Sequence, residues 1–489
     1  MIAATGRALT RRTPRRQRRS GWGLPAVAVV AAGFGLSAGL RSDAAGEHPL
    51  TEHLGATVWV NVVPAESPRP ARGGRLAFRA DLADGAGGRV LVFAPATGFA
   101  DLGAGQPVGF RARVSAPARR DLTVAVLTAS GPPLAGRAAR IHRAAHAIRA
   151  RFAAVARRSL PPDQAALLPA LVLGDTSAVT ATTARAFRTA GLTHLTAVSG
   201  ANVAIVCGAV LLSAALIGPR AAAVLAGLTL VLFVVVVSPG ASVLRAAVMG
   251  AIALLAVLTS RRRQAVPALS ATVIILLAIS PELAVDVGFA LSVVATAALV
   301  VLAPVWSAQL TARRWPKPLA DALCVAAAAQ LVTAPLIAAV SGQLSLVGLA
   351  ANLAVTPVIP PITMLGTAAA ALSVPLPAVA ALLIRLTGPE LWWLLRVAEL
   401  CAAIPGAAVP VPSGWLGLLT IGGAGWATAV LCRRAGRRSV TRSPGEHLRP
   451  APGARRGGVP RRAGRRRDPS AGARRGRLRG HPGRPDAGR

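Results

Sequence analysis

The chain has no tyrosine, a single lysine (Lys317) and only 18 acidic residues among 489. Charged residues of either sign make up 15% and aromatics 3%, whereas ordinary soluble domains carry about 25% charged residues. That deficit excludes a water-soluble globular protein over most of the length. A hydrophobic content of 53% excludes disorder over the same stretch. A P-loop, an HExxH helix, a histidine-rich metal cluster and carboxylates paired at a fixed spacing are also missing. No metal, no cofactor and no enzymatic activity are therefore expected, since nothing here would power transport or cut a phosphodiester. The four cysteines, Cys207, Cys324, Cys401 and Cys432, match no zinc or redox spacing and read as small buried hydrophobes.

What is present is arginine and long apolar runs. The net charge is +37, of which residues 1–20 carry +7 and residues 433–489 carry +16. After the basic start, residues 21–40 are long and apolar enough to span a bilayer of about 30 Å. They predict a retained first transmembrane helix with a cytoplasmic N-terminus, a cleaved signal peptide being the alternative. Residues 45–133 change character. Five strand-length runs (56–63, 75–80, 89–93, 107–114 and 122–127) alternate with Gly, Pro and Asp clusters, which predicts a small extracytoplasmic β domain with an OB-like barrel as a candidate. Residues 136–190 form a connector. Its basic amphipathic part (136–160) predicts a helix lying at the membrane interface with its Arg heads towards phospholipid headgroups.

Nine apolar segments follow, at 197–217, 221–237, 243–258, 266–280, 289–304, 320–340, 344–374, 376–404 and 415–431. With the first helix they predict about ten spans: a mainly α, polytopic membrane bundle over residues 191–432, followed by a disordered Arg-rich tail at 433–489. An extracytoplasmic β domain puts Arg261, Arg262 and Arg263, and also Arg313, Arg314 and Lys317, on the cytoplasmic side. The loops at Pro239, Glu282 and Gly342 then fall outside, almost free of Lys and Arg, in accord with the positive-inside rule.

Polar side chains at membrane depth are costly and mark function. His194, Ser199 and Asn202 sit where an apolar segment begins, with Ser199 and Asn202 spaced to share a helical face. Helix-start capping, interhelical bonding and nucleophilic catalysis are all readings of that trio, and no acid stands nearby to complete a triad. Arg245 lies inside an apolar helix, where an unpaired charge costs on the order of 3 kcal/mol. It therefore needs a carboxylate, a ring of carbonyls or a wet cavity. Asp286 opens a helix on whose face Gly288, Ser292 and Thr296 step four apart, a small-residue stripe suited to tight packing. Gln343, Ser345, Asn352 and Pro357, with Pro360 and Pro361, fall where helices are broken, a pattern tolerated at membrane depth only against protein or water. These residues are expected to converge on one aqueous conduit.

The stretch GLTHLTAVSGANVAIV at residues 191–206 resembles the signature of the ComEC-type competence proteins. SVLRAAVM (242–249), DVGFALSVVAT (286–296), GQLSLVGLAANLAVTPVIP (342–360) and IPGAAVPVP (404–412) are similar to further family motifs, in the family's order. Where the family's motif carries Leu-His, this chain has Ala201 and Asn202. The resemblance implies a multi-pass protein of the cell (inner) membrane that forms a path for single-stranded transforming DNA, with an OB-fold domain outside. It implies matching positions at His194, Ser199, Arg245, Asp286, Gly288, Ser292, Gln343, Ser345, Asn352 and Pro357. The family's metallo-β-lactamase-like domain is not recognisable in the sequence, so a channel component without its own nuclease is expected. Its expected partners are single-stranded DNA, membrane lipid, a DNA receptor, a separate nuclease, a cytoplasmic translocation ATPase and further copies of the chain. Two other readings stand beside it: a secondary transporter for a small anion, with Arg245 as its site, and a truncated remnant whose tail is a frameshift product.

Overall fold

A computed structural model describes residues 47–84, 87–117, 123–237, 241–259 and 265–425. The chain divides into two units, Met1–Val430 and Leu431–Arg489, and the described residues belong to the first. The expectations for residues 1–20 and 21–40, the loop at Pro239, Arg261 to Arg263, Cys432 and the tail at 433–489 lie outside the described residues.

All five predicted strands form, alongside one short addition. They are β1 (Thr57–Pro64), β2 (Arg69–Pro70), β3 (Arg75–Leu82), β4 (Arg89–Pro95), β5 (Val108–Ser115) and β6 (Thr123–Ala135). Alternation drives them: β4 reads half-buried and buried residues in strict turn, because successive side chains point to opposite faces of a strand. β1 pairs antiparallel with both β3 and β5, which closes the ring β1-β3-β4-β6-β5-β1. Only β4 and β6 run parallel, and β2 merely flanks β3. Without β2 this is a five-stranded Greek-key barrel in the order 1-2-3-5-4-1, the partly open architecture of OB folds. Val62, Phe78, Val90, Val92, Phe110 and Leu127 fill it, and Phe99 meets Phe110 edge-to-face at 5.3 Å. Each such side chain contributes about 1.5–3 kcal/mol by leaving water.

The rest is helical: α1 (Arg140–Ser159), α2 (Pro162–Leu173), α3 (Ala181–Thr189), α4 (Gly200–Ser213), α5 (Pro219–Val237), α6 (Ala241–Leu258), α7 (Ala265–Ile279), α8 (Val287–Val301), α9 (Ala303–Ala312), α10 (Lys317–Ser341), α11 (Gly348–Val355), α12 (Ile359–Leu372), α13 (Pro377–Leu386) and α14 (Gly388–Ala403). Four runs are long and apolar enough to cross a membrane: α5, α8 with α9, α10, and α11 with α12. A fifth counts if α13 and α14, bent by 43° at Thr387, act as one. α2, α4, α7, Ser242–Ala256 within α6 and Trp415–Gly425 are apolar but shorter. On α5, Leu228, Val231 and Leu232 are each more than half exposed, an arrangement costly in water and neutral against lipid.

Two sequence expectations change in detail. α1 is helical as expected, but Phe152, Val155 and Ala156 are buried in the bundle's main core. Its apolar stripe therefore has protein to cover it, while Arg140, Arg143, Arg151, Arg157 and Arg158 are exposed and Arg149 is half-buried. The apolar segment expected from residue 344 does not start as a helix. α10 ends at Gly342 in the left-handed conformation (φ 64°), and Gln343–Ser345 form a short strand β7 that pairs with β8 (Ala408–Pro410). The break follows from Gly342, which needs no Cβ at that φ and so lets the chain reverse.

The barrel meets the helices at the turn before α8. Arg79 of β3 reaches Asp286 and Arg89 of β4 reaches Glu282, both at 3.4 Å. From there α8 and α9 run on as one 26-residue span ending near Arg313, Arg314 and Lys317. At 1.5 Å per residue the barrel contact and that basic turn stand about 39 Å apart, at opposite ends of the span.

Candidate functional site

Residues 190–202 link two polar clusters, with Thr193, His194, Ala197 and Ala201 exposed along the way. The first gathers around Gly200, the opening residue of α4. Ser199 is its N-cap residue with extended backbone (φ −103°, ψ 165°), yet it makes no capping bond. Its hydroxyl instead donates to Asn202 Oδ1 at 3.2 Å. Asn202 is buried and donates from Nδ2 to the Leu171 carbonyl at 2.9 Å. That carbonyl is among the last four of α2, which lack an intrahelical donor. Asn202 therefore closes the C-terminus of a neighbouring helix.

Arg245 arrives at Gly200 from α6. It is only 7% exposed. Its Nε donates to Ser292 Oγ of α8 at 2.6 Å, and Ser292 in turn bonds Ser242 at 3.3 Å. Nη1 reaches the Met249 thioether at 3.4 Å, a weak acceptor. Nη2 lies 2.8 Å from where a Cβ would stand on Gly200, so no other residue permits the approach without movement. No carboxylate pairs with Arg245 among the described residues.

Asp286 and Gly288 stand at the start of α8, one and a half turns before Ser292. Asp286 caps the helix by accepting from Phe289 N at 2.7 Å, as its position predicts, and also holds Arg79 of the barrel. Gly288 is exposed beside the Asp286 carboxylate. Ser292 serves the stripe expected on this face, since it bridges α8 to α6, whereas Thr296 bonds the Ser292 carbonyl within its own helix.

The second cluster surrounds Gly191, whose φ of +72° suits glycine. A Cβ there would stand 3.1 Å from the Gly348 Cα and 3.2 Å from Ser345. The Ser345 hydroxyl donates to the Thr189 carbonyl at 2.7 Å, and Gln330 of α10 lies beside Gly348. His194 is exposed three residues further on. Asn352 donates to Gly348 O one turn back in its own helix. Gln343, in β7, and Pro357, in the turn at Thr356–Val358, are exposed and join neither cluster.

Gly200 and Ser242 lie within the motifs at 191–206 and 242–249, whereas Gln330 is a polar residue in an apolar run with no sequence signal of its own, and only packing reveals its part. On the barrel, Trp59 is half exposed and pairs across the strands with Arg111, while Thr57 pairs with Arg113. The outward phase of β1 (Trp59, Asn61) contains that aromatic and basic face in principle. Open clefts lie elsewhere among the described residues. One, of about 380 Å³, lies between the barrel and α1, lined by Arg137, His142, Arg143 and His146. Another, of about 260 Å³, lies at Trp306, Arg313 and Cys324. Neither is lined by any residue of the two clusters. Among the described residues no group of three or more His, Cys, Asp or Glu is placed to hold a metal. Cys207, Cys324 and Cys401 are free thiols, Cys324 buried and the others half-buried.

No curated protein and no solved structure matches the chain. A family model described as Competence protein matches residues 171–436, more than half of the chain. That stretch contains α4, α6 and α8, which carry the Arg245 cluster, and the segment that links the two clusters. The chain therefore belongs to the Competence protein family.

Proposed function

We propose that the protein is a channel component of the cell (inner) membrane for uptake of single-stranded transforming DNA, with no nuclease of its own. The observation that carries this reading is one line of polar contacts running from the barrel into the bundle. Arg79 on the barrel holds Asp286, Asp286 opens α8, and Ser292 on the same helix holds Arg245 beside α4. Family membership supports handling of DNA at a membrane. Exposed Arg75, Arg111 and Arg113, with Trp59, give the barrel the positive charge and aromatic surface that bind single strands without regard to sequence.

On this reading the β domain of residues 45–133 is extracytoplasmic, residues 136–190 connect it to the competence-type membrane domain of 191–432, and about ten spans cross the bilayer. Placing the Arg313–Lys317 turn at the far end of α8 and α9 from the barrel supports that orientation, because short basic loops stay in the cytoplasm. A DNA receptor, a separate nuclease and a translocation ATPase complete the route, with further copies of the chain as neighbours in the membrane.

The test uses the full-length chain in nanodiscs of zwitterionic lipid. Anisotropy of a labelled oligothymidylate is followed at low and raised salt. Binding is expected to fall steeply and linearly on a log–log plot, with slope about 0.7 per phosphate engaged, and to be matched by oligonucleotides of other sequence. A deletion strain is expected to lose transformation. Absence of oligonucleotide binding even at low salt rejects the proposal.

A further inference from the structure

Arg245 and the start of α4 present an electrostatic problem as they stand. A guanidinium has five N–H donors, of which two are engaged, Nε by Ser292 and Nη1 by the Met249 sulfur. Nη2 has no hydrogen-bond partner among the described residues, and the charge has no carboxylate. This side chain is 93% buried and aims its free end at Gly200, the first residue of a 14-residue helix. The N-terminus of that helix carries the positive end of the peptide dipoles, with about half a unit charge on its unbonded N–H groups. Ser199, the residue placed to cap them, has turned its hydroxyl to Asn202 instead. Two positive features therefore stand side by side, both with donors to spare, and Nη2 is not among the polar atoms sealed from solvent without a partner, so a ligand can reach it. Such a pair attracts an anion.

Resting on the uptake reading, we infer that Arg245 Nη2 and the first-turn N–H groups of α4 form a seat for phosphate oxygens, taken in turn by the phosphodiesters of a passing strand. Backbone N–H groups at a helix start suit tetrahedral oxyanions, and a guanidinium presents paired donors to the same oxygens. Gly200 is required for closeness: a methyl group there would occupy space 2.8 Å from Nη2. Ser292 and Ser242 hold the guanidinium in its aim from behind. A single seat of this kind would grip each phosphate weakly and release it to the next.

A lipid headgroup offers the same phosphodiester chemistry, so the experiment separates the two sources. Full-length protein is held in a maltoside detergent, which carries no phosphate, and its unfolding midpoint is followed with increasing inorganic phosphate, against chloride at equal ionic strength. Wild type is expected to rise with phosphate. Arg245→Gln and Gly200→Ala are expected to show no phosphate-dependent rise, and Arg245→Lys a reduced one. Because only the phosphate-dependent part is read, a lower baseline stability in a variant does not confuse the result. Oligothymidylate affinity is expected to fall about tenfold or more in Arg245→Gln, the loss of a charge-assisted contact. Its salt slope should drop by about one phosphate. Repetition in phosphatidylglycerol nanodiscs identifies the occupant: loss of the phosphate response there, with oligonucleotide affinity unchanged by Arg245→Gln, assigns the seat to lipid and overturns the strand assignment. A wild type that ignores phosphate, or variants that respond as wild type does, overturn the seat itself. If oligonucleotide still binds in that case, the uptake reading survives. Phosphate stabilisation without any oligonucleotide binding leaves the seat and removes the uptake reading.

Discussion

Asn202 gives the sharpest distinction between a side chain that meets a passing strand and one that holds the bundle together. The sequence places it beside Ser199 among the candidate path residues, but both polar atoms of its amide have a partner within the bundle: Nδ2 the Leu171 carbonyl at 2.9 Å and Oδ1 the Ser199 hydroxyl at 3.2 Å. Asn202→Ala leaves a buried carbonyl at the end of α2 without a donor, at a cost of about 1–3 kcal/mol. Asn202→Asp keeps the shape but points a carboxylate oxygen at that carbonyl, near the negative end of the α2 dipole. The positive start of α4, in whose first turn residue 202 stands, offsets part of the cost of that charge. Melting of the full-length protein in detergent, read as loss of the monodisperse peak, should therefore rank wild type above both Asn202→Ala and Asn202→Asp. Oligonucleotide affinity of the surviving folded fraction should match wild type for the alanine variant. Equal melting of all three proteins would refute the capping role. Unchanged melting with weakened oligonucleotide binding would return Asn202 to the path.

Three further predictions concern packing, capping and charge. In Gly366→Ala the new methyl group collides with the Val172 side chain, between α12 and α2. Overpacking of this kind costs about 1–3 kcal/mol, and Val172→Ala should restore most of it in the double variant, as melting will record. Asp286→Ala should cost about 1 kcal/mol by removing the cap on Phe289 N. Asp286→Asn should retain most of that, because the amide oxygen still accepts, and a large loss in the asparagine variant would show that charge rather than capping holds the turn. Arg79→Ala should move stability by less than about 1 kcal/mol, since its ion pair with Asp286 is half exposed on the arginine side and screened by solvent.

The sequence alone determined what depends on near neighbours along the chain. Runs bounded by Gly, Pro and Asp, with alternation in β1, marked five strands. Apolar runs marked most helices of the membrane domain but not the strand that interrupts them after Gly342, and an aspartate before residues 287–289 marked the cap of α8, because each rests on contacts within a few residues. The ordered motifs at 191–206, 242–249, 286–296 and 342–360 were enough to place the family. Only tertiary structure decided which of those elements meet. Closure of the barrel needs β1 to bond both β3 and β5, and the parallel β4–β6 pair brings together strands more than 30 residues apart. Arg245 finds Ser292 across 47 residues, and Asn202 finds Leu171 across 31. Nothing in the local pattern distinguishes an asparagine that will cap a distant helix from one that will line a path. Nor does it show that a buried arginine will be left facing a helix start without an acid. Those outcomes depend on which backbone donors and acceptors remain unpaired once the helices have packed, a property of the assembled fold rather than of any one segment.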